Sequence, residues 1–101
     1  MNRDELEARY LDLLKHELPA LAPGRDWPIR FDHCFMRVVL DNLFGGCWYE
    51  HLDRRKGAAY RQLSDAQLAE AVRLAEAVRD GDDAVLAEMN RRSLRWRGKS
   101  G

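Results

Sequence analysis

The 101-residue sequence has no long hydrophobic run, no excess of charge of either sign, and only two cysteines and three prolines. No apolar stretch approaches the roughly 20 residues that span a bilayer, so no transmembrane helix is expected. Seventeen basic residues balance 17 acidic ones, so no overall field attracts the chain to nucleic acid or to an anionic membrane. These absences argue against a membrane protein and against a strongly basic nucleic-acid-binding protein.

The cysteines and the N-terminal segment bear on the compartment. The first ten residues, MNRDELEARY, are charged and follow a helical pattern rather than that of a signal peptide. We therefore expect a cytoplasmic protein, in which Cys34 and Cys47 are reduced thiols rather than a disulfide.

Several familiar site motifs are also missing. The sequence contains no G-x-x-x-x-G-K-[ST] phosphate loop, no G-x-G-x-x-G and no H-E-x-x-H. No segment shows the sustained alternation of apolar and polar residues that predicts β-strands. We therefore expect no cofactor and no β-sheet.

Helical periodicity is what the sequence does contain, in several segments separated by loop residues. It predicts a single all-α domain over residues 1–101, with about four main helices in an antiparallel, bundle-like arrangement. The predicted helices span residues 2–22, 29–44, 64–80 and 82–97, with a shorter helix at 47–56.

Local start and stop signals accompany these helices. Asn2 is predicted to cap the first helix, and Ser64 with Gln67 forms a capping box. Gly45 and Gly46 predict the end of the central helix, because glycine readily adopts the left-handed conformation. The residues expected to face the core are Leu6, Tyr10, Leu13, Leu14, Leu18, Trp27, Tyr60, Leu63, Leu68, Ala71, Val72, Ala75, Val78, Val85, Leu86, Met89 and Trp96.

The central segment, residues 29–44, is the most apolar of the chain yet carries ionisable groups. Its predicted apolar side consists of Phe31, Phe35, Val38, Val39 and Asn42. The opposite side carries a polar stripe, which we define as Arg30, His33, Arg37 and Asp41, with Cys34 beside it. A histidine beside arginines and a carboxylate can bind an anion or transfer a proton. The alternative is a solvated helix face with an i, i+4 ion pair between Arg37 and Asp41.

The C-terminal stretch NRRSLRWRGKSG is a basic segment with Arg91, Arg92, Arg95, Trp96 and Arg97 as candidate contacts, followed by Lys99. Cations interleaved with an aromatic ring can hold a phosphate backbone. The alternative is that these cations stabilise a helix C-terminus or pair with acids on neighbouring helices. The balanced overall charge disfavours the nucleic-acid interpretation.

Four residues are candidates for metal or thiol chemistry: His33, Cys34, Cys47 and His51. Their spacing lacks the close C-x-x-C pair of structural zinc sites, and the adjacent His33 and Cys34 point about 100° apart on a helix. A nucleophilic Cys34 would need a histidine from elsewhere, such as His16 or His51. We therefore expect no metal site and two small, buried, apolar cysteines.

Three stretches together carry a resemblance to a known group of proteins: FDHCFMRVVLDNLFGGCWY, QLSDAQL and MNRRSLRWRGK. The chain resembles a family of short bacterial proteins over roughly Trp27 to Lys99, and some members are labelled as relatives of GNAT-type N-acetyltransferases. A GNAT fold requires a mixed sheet and a glycine-containing loop for the pyrophosphate of coenzyme A, and this sequence predicts neither. The resemblance therefore supplies no catalytic residue, and the label points at most to association with such an enzyme.

The combined expectation is a small binding or regulatory module that acts through a protein partner or a small anionic ligand. The alternative is an enzyme whose site uses His33, Arg37 and Asp41. The two hypotheses differ in whether these three side chains converge in a pocket or spread over a convex surface. The sequence is compatible with a homo-oligomer as well as with a monomer.

Overall fold

The computed structural model describes residues 1–98, and the predicted all-α class is confirmed there, with no β-strand among these residues. No helix in this range is long and apolar enough to cross a membrane. Lys99, part of the basic segment, lies outside the described residues. The α-helices are α1 (Arg3–Asp12), α2 (Leu18–Leu21), α3 (Asp32–Phe44), α4 (Asp65–Asp80) and α5 (Asp83–Trp96).

The first two helices form one helical rod that passes through a proline. A π-helical turn, Leu13–Glu17, joins α1 to α2, and the Leu18 N–H donates to the Leu13 carbonyl five residues back. Pro19 lacks an N–H and would crowd the carbonyl of an ordinary helical turn. The wider π turn lies directly before this proline, so the helix continues to Leu21.

The central helix α3 begins at Asp32, three residues later than predicted. Phe31 precedes the helix in an extended conformation, and 64% of its surface is exposed. The predicted place of Phe31 in the core is therefore wrong, because helical spacing fixes a side chain's direction only inside the helix. Gly45, with a φ of 68°, ends α3 in the left-handed conformation that glycine favours.

The predicted short helix at residues 47–56 is replaced by two separate 3-10 turns, Trp48–Glu50 and Arg54–Lys56. A third 3-10 turn, Ala59–Gln62, leads to α4. The Gln62 side chain joins this irregular segment internally, because its Nε2 donates to the Asp53 carbonyl and its Oε1 accepts from the Asp53 N–H. The segment between α3 and α4 thus contains three 3-10 turns and no α-helix, and the bonds between Gln62 and Asp53 hold it together.

The predicted helix starts have the expected hydrogen bonds. Asn2 Oδ1 accepts from the Glu5 N–H, and both bonds of the capping box between Ser64 and Gln67 are present. Asp82 caps α5 through the Ala84 N–H. The inward position predicted for Trp96 is wrong, since 38% of its surface is exposed near the end of α5.

The core lies where α4 packs against α1 and where α3 packs against α4 and the π turn, and α5 packs on α3 and α4. All the predicted core residues of α1 and α4 are buried there, and Trp27 is the loop anchor, packed edge-on against Phe35 at 5.5 Å between ring centroids. Helices α1 and α4 run in the same direction, because Arg3 pairs with Asp65 and Arg9 with Glu76. Since α3 intervenes in the chain between α1 and α4, a parallel α1–α4 pair is compatible with the antiparallel succession of helices expected from the sequence.

Candidate functional site

The polar stripe of α3 is divided between solvent and interior. Arg30 and His33 are exposed, Arg37 is half-buried, and Asp41 is completely buried. The division follows from α5, which packs against the C-terminal half of α3 and covers that part of the stripe. The four residues therefore do not form one surface.

Asp41 is held by a full set of hydrogen-bond donors. Arg97 donates from Nε at 2.7 Å and from Nη2 at 3.0 Å, in a bidentate ion pair. The Ser93 hydroxyl donates at 2.6 Å, and the Trp48 N–H donates at 3.0 Å. Hydrogen bonding to Asp41 raises the pKa of the Arg97 guanidinium. The Asp41 carboxylate thus ties α3, α5 and the Trp48 turn together and has no lone pair directed at solvent.

Arg37 lies one turn before Asp41 and has only neutral partners. Its Nη1 donates to Ser93 Oγ at 2.7 Å and its Nη2 to Asn90 Oδ1 at 2.8 Å. No carboxylate oxygen in residues 1–98 lies within 4.0 Å of its guanidinium. A guanidinium has five N–H donors, so three remain beyond these two bonds. Arg37 is therefore an oriented cation without a direct ion pair among these residues, and it reaches Asp41, which Arg97 already pairs, only through Ser93.

A surface pocket of about 280 Å³ lies beside this guanidinium, and we name it the Arg37 pocket. Among residues 1–98, no acidic side chain lines it. The turn after Gly45 forms one wall, because it reverses the chain and the bond from the Trp48 N–H to Asp41 fixes the turn on α3. The lining residues are His33, Cys34, Met36, Arg37, Trp48 and Tyr49.

Tyr49, in the wall of the Arg37 pocket, is clasped by two arginines. The guanidinium carbon of Arg54 lies 3.9 Å from the ring centroid, and that of Arg97 lies 4.6 Å from it. Trp48 meets the same ring edge-on at 4.7 Å. Cation–π contacts of this kind hold the ring in place, so the wall is preformed although 43% of Tyr49 is exposed.

The basic segment does not form a single cationic surface within the described residues. Arg91 and Arg92 both pair with Glu88 on the preceding turns of α5. Arg95 and Trp96 are exposed, whereas Arg97 is committed to Asp41. Ion pairing within α5 thus accounts for Arg91 and Arg92, and the predicted alternative of pairing with an acid on a neighbouring helix accounts for Arg97.

The four candidate residues for metal or thiol chemistry do not form a metal site in the described part of the chain. Among residues 1–98, no three His, Cys, Asp or Glu side chains lie close enough to hold a metal ion. Cys34 and Cys47 are unpaired thiols and are only partly buried, so the prediction that both are buried is wrong. His51 stacks on Phe44 at 4.6 Å between ring centroids.

Sequence reasoning missed Met36, Trp48 and Tyr49 as pocket residues. Met36 sits between the two sides of α3, so periodicity alone gave it no role. The signal for the other two was the Gly45–Gly46 stop followed, after Cys47, by an aromatic pair. This pattern predicts a reversal that lays two rings on the helix just ended.

Comparisons of the chain with protein-family models, curated proteins and solved structures find no match. The resemblance to a short bacterial family therefore stays a prediction.

Proposed function

We propose that this chain is a small cytoplasmic binding module whose Arg37 pocket receives an anionic group, with Arg37 as the binding residue. The observation that carries the proposal is the state of Arg37: half-buried, hydrogen-bonded only to neutral groups, and facing a pocket without an acidic side chain. A partly desolvated cation without a counterion attracts an anion more strongly than a fully solvated one. The cytoplasm is proposed because free thiols persist there.

The geometry around Arg37 supports recognition rather than a loose electrostatic contact. Bonds to Asn90 and Ser93 fix the plane of the guanidinium, and Ser93 is itself fixed by its bond to Asp41. A planar fork with remaining N–H donors matches a carboxylate or phosphate in bidentate geometry. Trp48 adds an apolar face for whatever carries the anion.

The enzyme alternative has less support. A catalytic role for Asp41 would require an oxygen free to bind a substrate or to orient His33, but both oxygens already accept hydrogen bonds from Arg97 and neighbouring groups. His33 has 77% of its side chain exposed, and its Nδ1 lies 3.6 Å from Asp32.

At the mouth of the pocket, His33 supplies a ring N–H to a bound anion. A protein partner would present the same anion as an Asp, Glu or C-terminal carboxylate.

The test uses benzoate as an aromatic carboxylate and benzamide as its uncharged counterpart. Benzoate is expected to shift the NMR signals of the Arg37 Nε–H and the Trp48 indole N–H saturably in the millimolar range, as suits a fragment-sized ligand. Benzamide, which lacks the charge, is expected to leave Arg37 unchanged. Equal shifts with both compounds, or none with benzoate, would overturn the proposal.

Two variants of equal charge change complete this test. Arg37→Gln is expected to abolish the benzoate response, whereas Arg95→Gln, on an exposed residue of α5, is expected to retain it. Arg37→Lys keeps the charge without the fork and is expected to bind benzoate more weakly than the parent protein. Equal loss in Arg37→Gln and Arg95→Gln would mean that benzoate responds to net charge and not to this pocket.

A further inference from the structure

A second depression adjoins the Arg37 pocket, and we name it the apolar groove. Its volume is about 370 Å³, and Met36 and Trp48 line both the groove and the pocket. These two side chains are therefore the boundary between them. Methionine is unbranched and adaptable, so a boundary built partly of Met36 can yield to a ligand that extends from one depression into the other.

The groove has an apolar floor and a cationic rim. Leu11, Leu40, Ala59 and Tyr60 contribute to the floor, and Lys15 and Arg54 contribute the charged groups. In the part of the chain that the structure describes, no acidic side chain lines the groove, as none lines the Arg37 pocket. The whole chain has equal numbers of acidic and basic residues, so this excess of cations is local. A complementary ligand therefore has an apolar part and a negative charge.

We propose that the ligand of this module is a free amphipathic carboxylate, such as a medium-chain fatty acid. Its carboxylate binds at Arg37 and its hydrocarbon lies in the apolar groove. This inference rests on the proposed function, since it assumes that the anion binds at Arg37. It adds the groove, which a small anion alone would leave empty. Lys15 and Arg54 line the groove and add positive potential that favours an anionic ligand over a neutral one.

A homologous series tests the groove separately from the anion site. Hexanoate, octanoate and decanoate are titrated into the whole protein, with the indole N–H of Trp48 as the reporter. Because Trp27 is buried against Phe35 away from both depressions, its indole signal is the internal control. Each added methylene is expected to tighten binding by about twofold to fourfold, the upper value corresponding to complete burial of that methylene.

The outcomes separate the two proposals. Binding of benzoate and of all three fatty acids at Arg37 with no dependence on chain length would overturn the groove and leave the anion site standing. Equal binding of decanoate and decanol, insensitive to Arg37→Gln, would overturn both. A third outcome is that the protein binds phosphatidylglycerol vesicles more strongly than it binds decanoate, in a way that depends on Arg37. That result would assign the site to a lipid surface and overturn the proposal of a free ligand.

A charge placed in the groove gives a second, independent arm. Ala58 lines the groove and is exposed, so Ala58→Glu is expected to fold. The new carboxylate should raise the Kd for decanoate by about fivefold or more through repulsion and desolvation, while the Kd for benzoate stays within about twofold, since charge repulsion weakens with distance and is screened by salt. Ala69→Glu, at an exposed position of α4 outside the groove, is the matched control. An unchanged Kd for decanoate in Ala58→Glu would overturn the placement of the hydrocarbon.

Discussion

The α1–α4 side of the molecule and its α3–α5 side place their charged residues differently. Between α1 and α4 the interior is apolar, and the ion pairs lie at the rim, where Arg9 and Arg79 both pair with Glu17. Between α3 and α5 an ion pair lies inside, with Asp41 completely buried and the Arg97 side chain only 15% exposed. The candidate pocket is on the second side.

The difference shows how a small helical domain can hold a binding residue. Rim ion pairs are solvated and contribute little to the free energy of folding. A buried pair costs desolvation, yet it fixes geometry once its bonds are complete. Here the Asp41–Arg97 pair fixes Ser93, which fixes Arg37, so the interior charges on the α3–α5 side support a cation that remains available to a ligand.

The largest expected effect tests whether apolar packing dominates on both sides. Phe35→Ala should lower the free energy of unfolding by about 3–5 kcal/mol, because Phe35 is completely buried and its loss leaves a cavity against Trp27. Phe31→Ala, four residues earlier and exposed, should change it by no more than about 0.5 kcal/mol. Urea denaturation measures both, and similar losses for the two variants would contradict the assigned start of α3.

The second effect compares an interior arginine with a rim arginine. Arg97→Ala should cost about 3 kcal/mol, at the lower end for a broken buried pair, because Asp41 stays behind without its cation. Arg79→Ala should cost less than about 1 kcal/mol, although Arg79 pairs with both Glu17 and Asp80. Thermal and urea denaturation at neutral pH decide. Equal losses of unfolding free energy in the two variants would contradict the claim that the buried pair matters more to stability than the rim pairs.

The α1–α4 side could be predicted from the sequence because its determinants are local. The caps at Asn2 and Ser64 are set by neighbours three residues away, and the apolar stripes of α1 and α4 follow helical spacing without a break. The predicted helix over residues 2–22 runs through Pro19, and the π turn before this proline lets the helix continue to Leu21.

The α3–α5 side could be predicted only in part, for physical reasons that lie outside any short window. Arg37 and His33 were chosen because of their residue types and spacing. The partner of Asp41, however, is 56 residues away in the chain, and no periodicity connects the two. Phe31 was misplaced because its direction depends on where α3 begins, and that boundary is one of the least certain features of a sequence.

The smallest expected effect concerns Glu17 at the rim. Arg79 and Arg9 lower the pKa of the Glu17 carboxyl in the folded protein below its ordinary value of 4.5. A lowered folded pKa means that the contribution of Glu17 to stability is complete above about pH 4.5 and disappears as the pH falls through the folded value. Glu17→Gln should therefore cost less than about 1 kcal/mol at neutral pH. The difference in unfolding free energy between Glu17→Gln and the parent protein should vanish in acid and shrink in high salt, which screens exposed pairs.

Urea denaturation along a pH series measures this difference. A cost that persists in acid, or that matches the cost of Arg97→Ala, would show that the rim pairs hold the fold as firmly as the buried pair does.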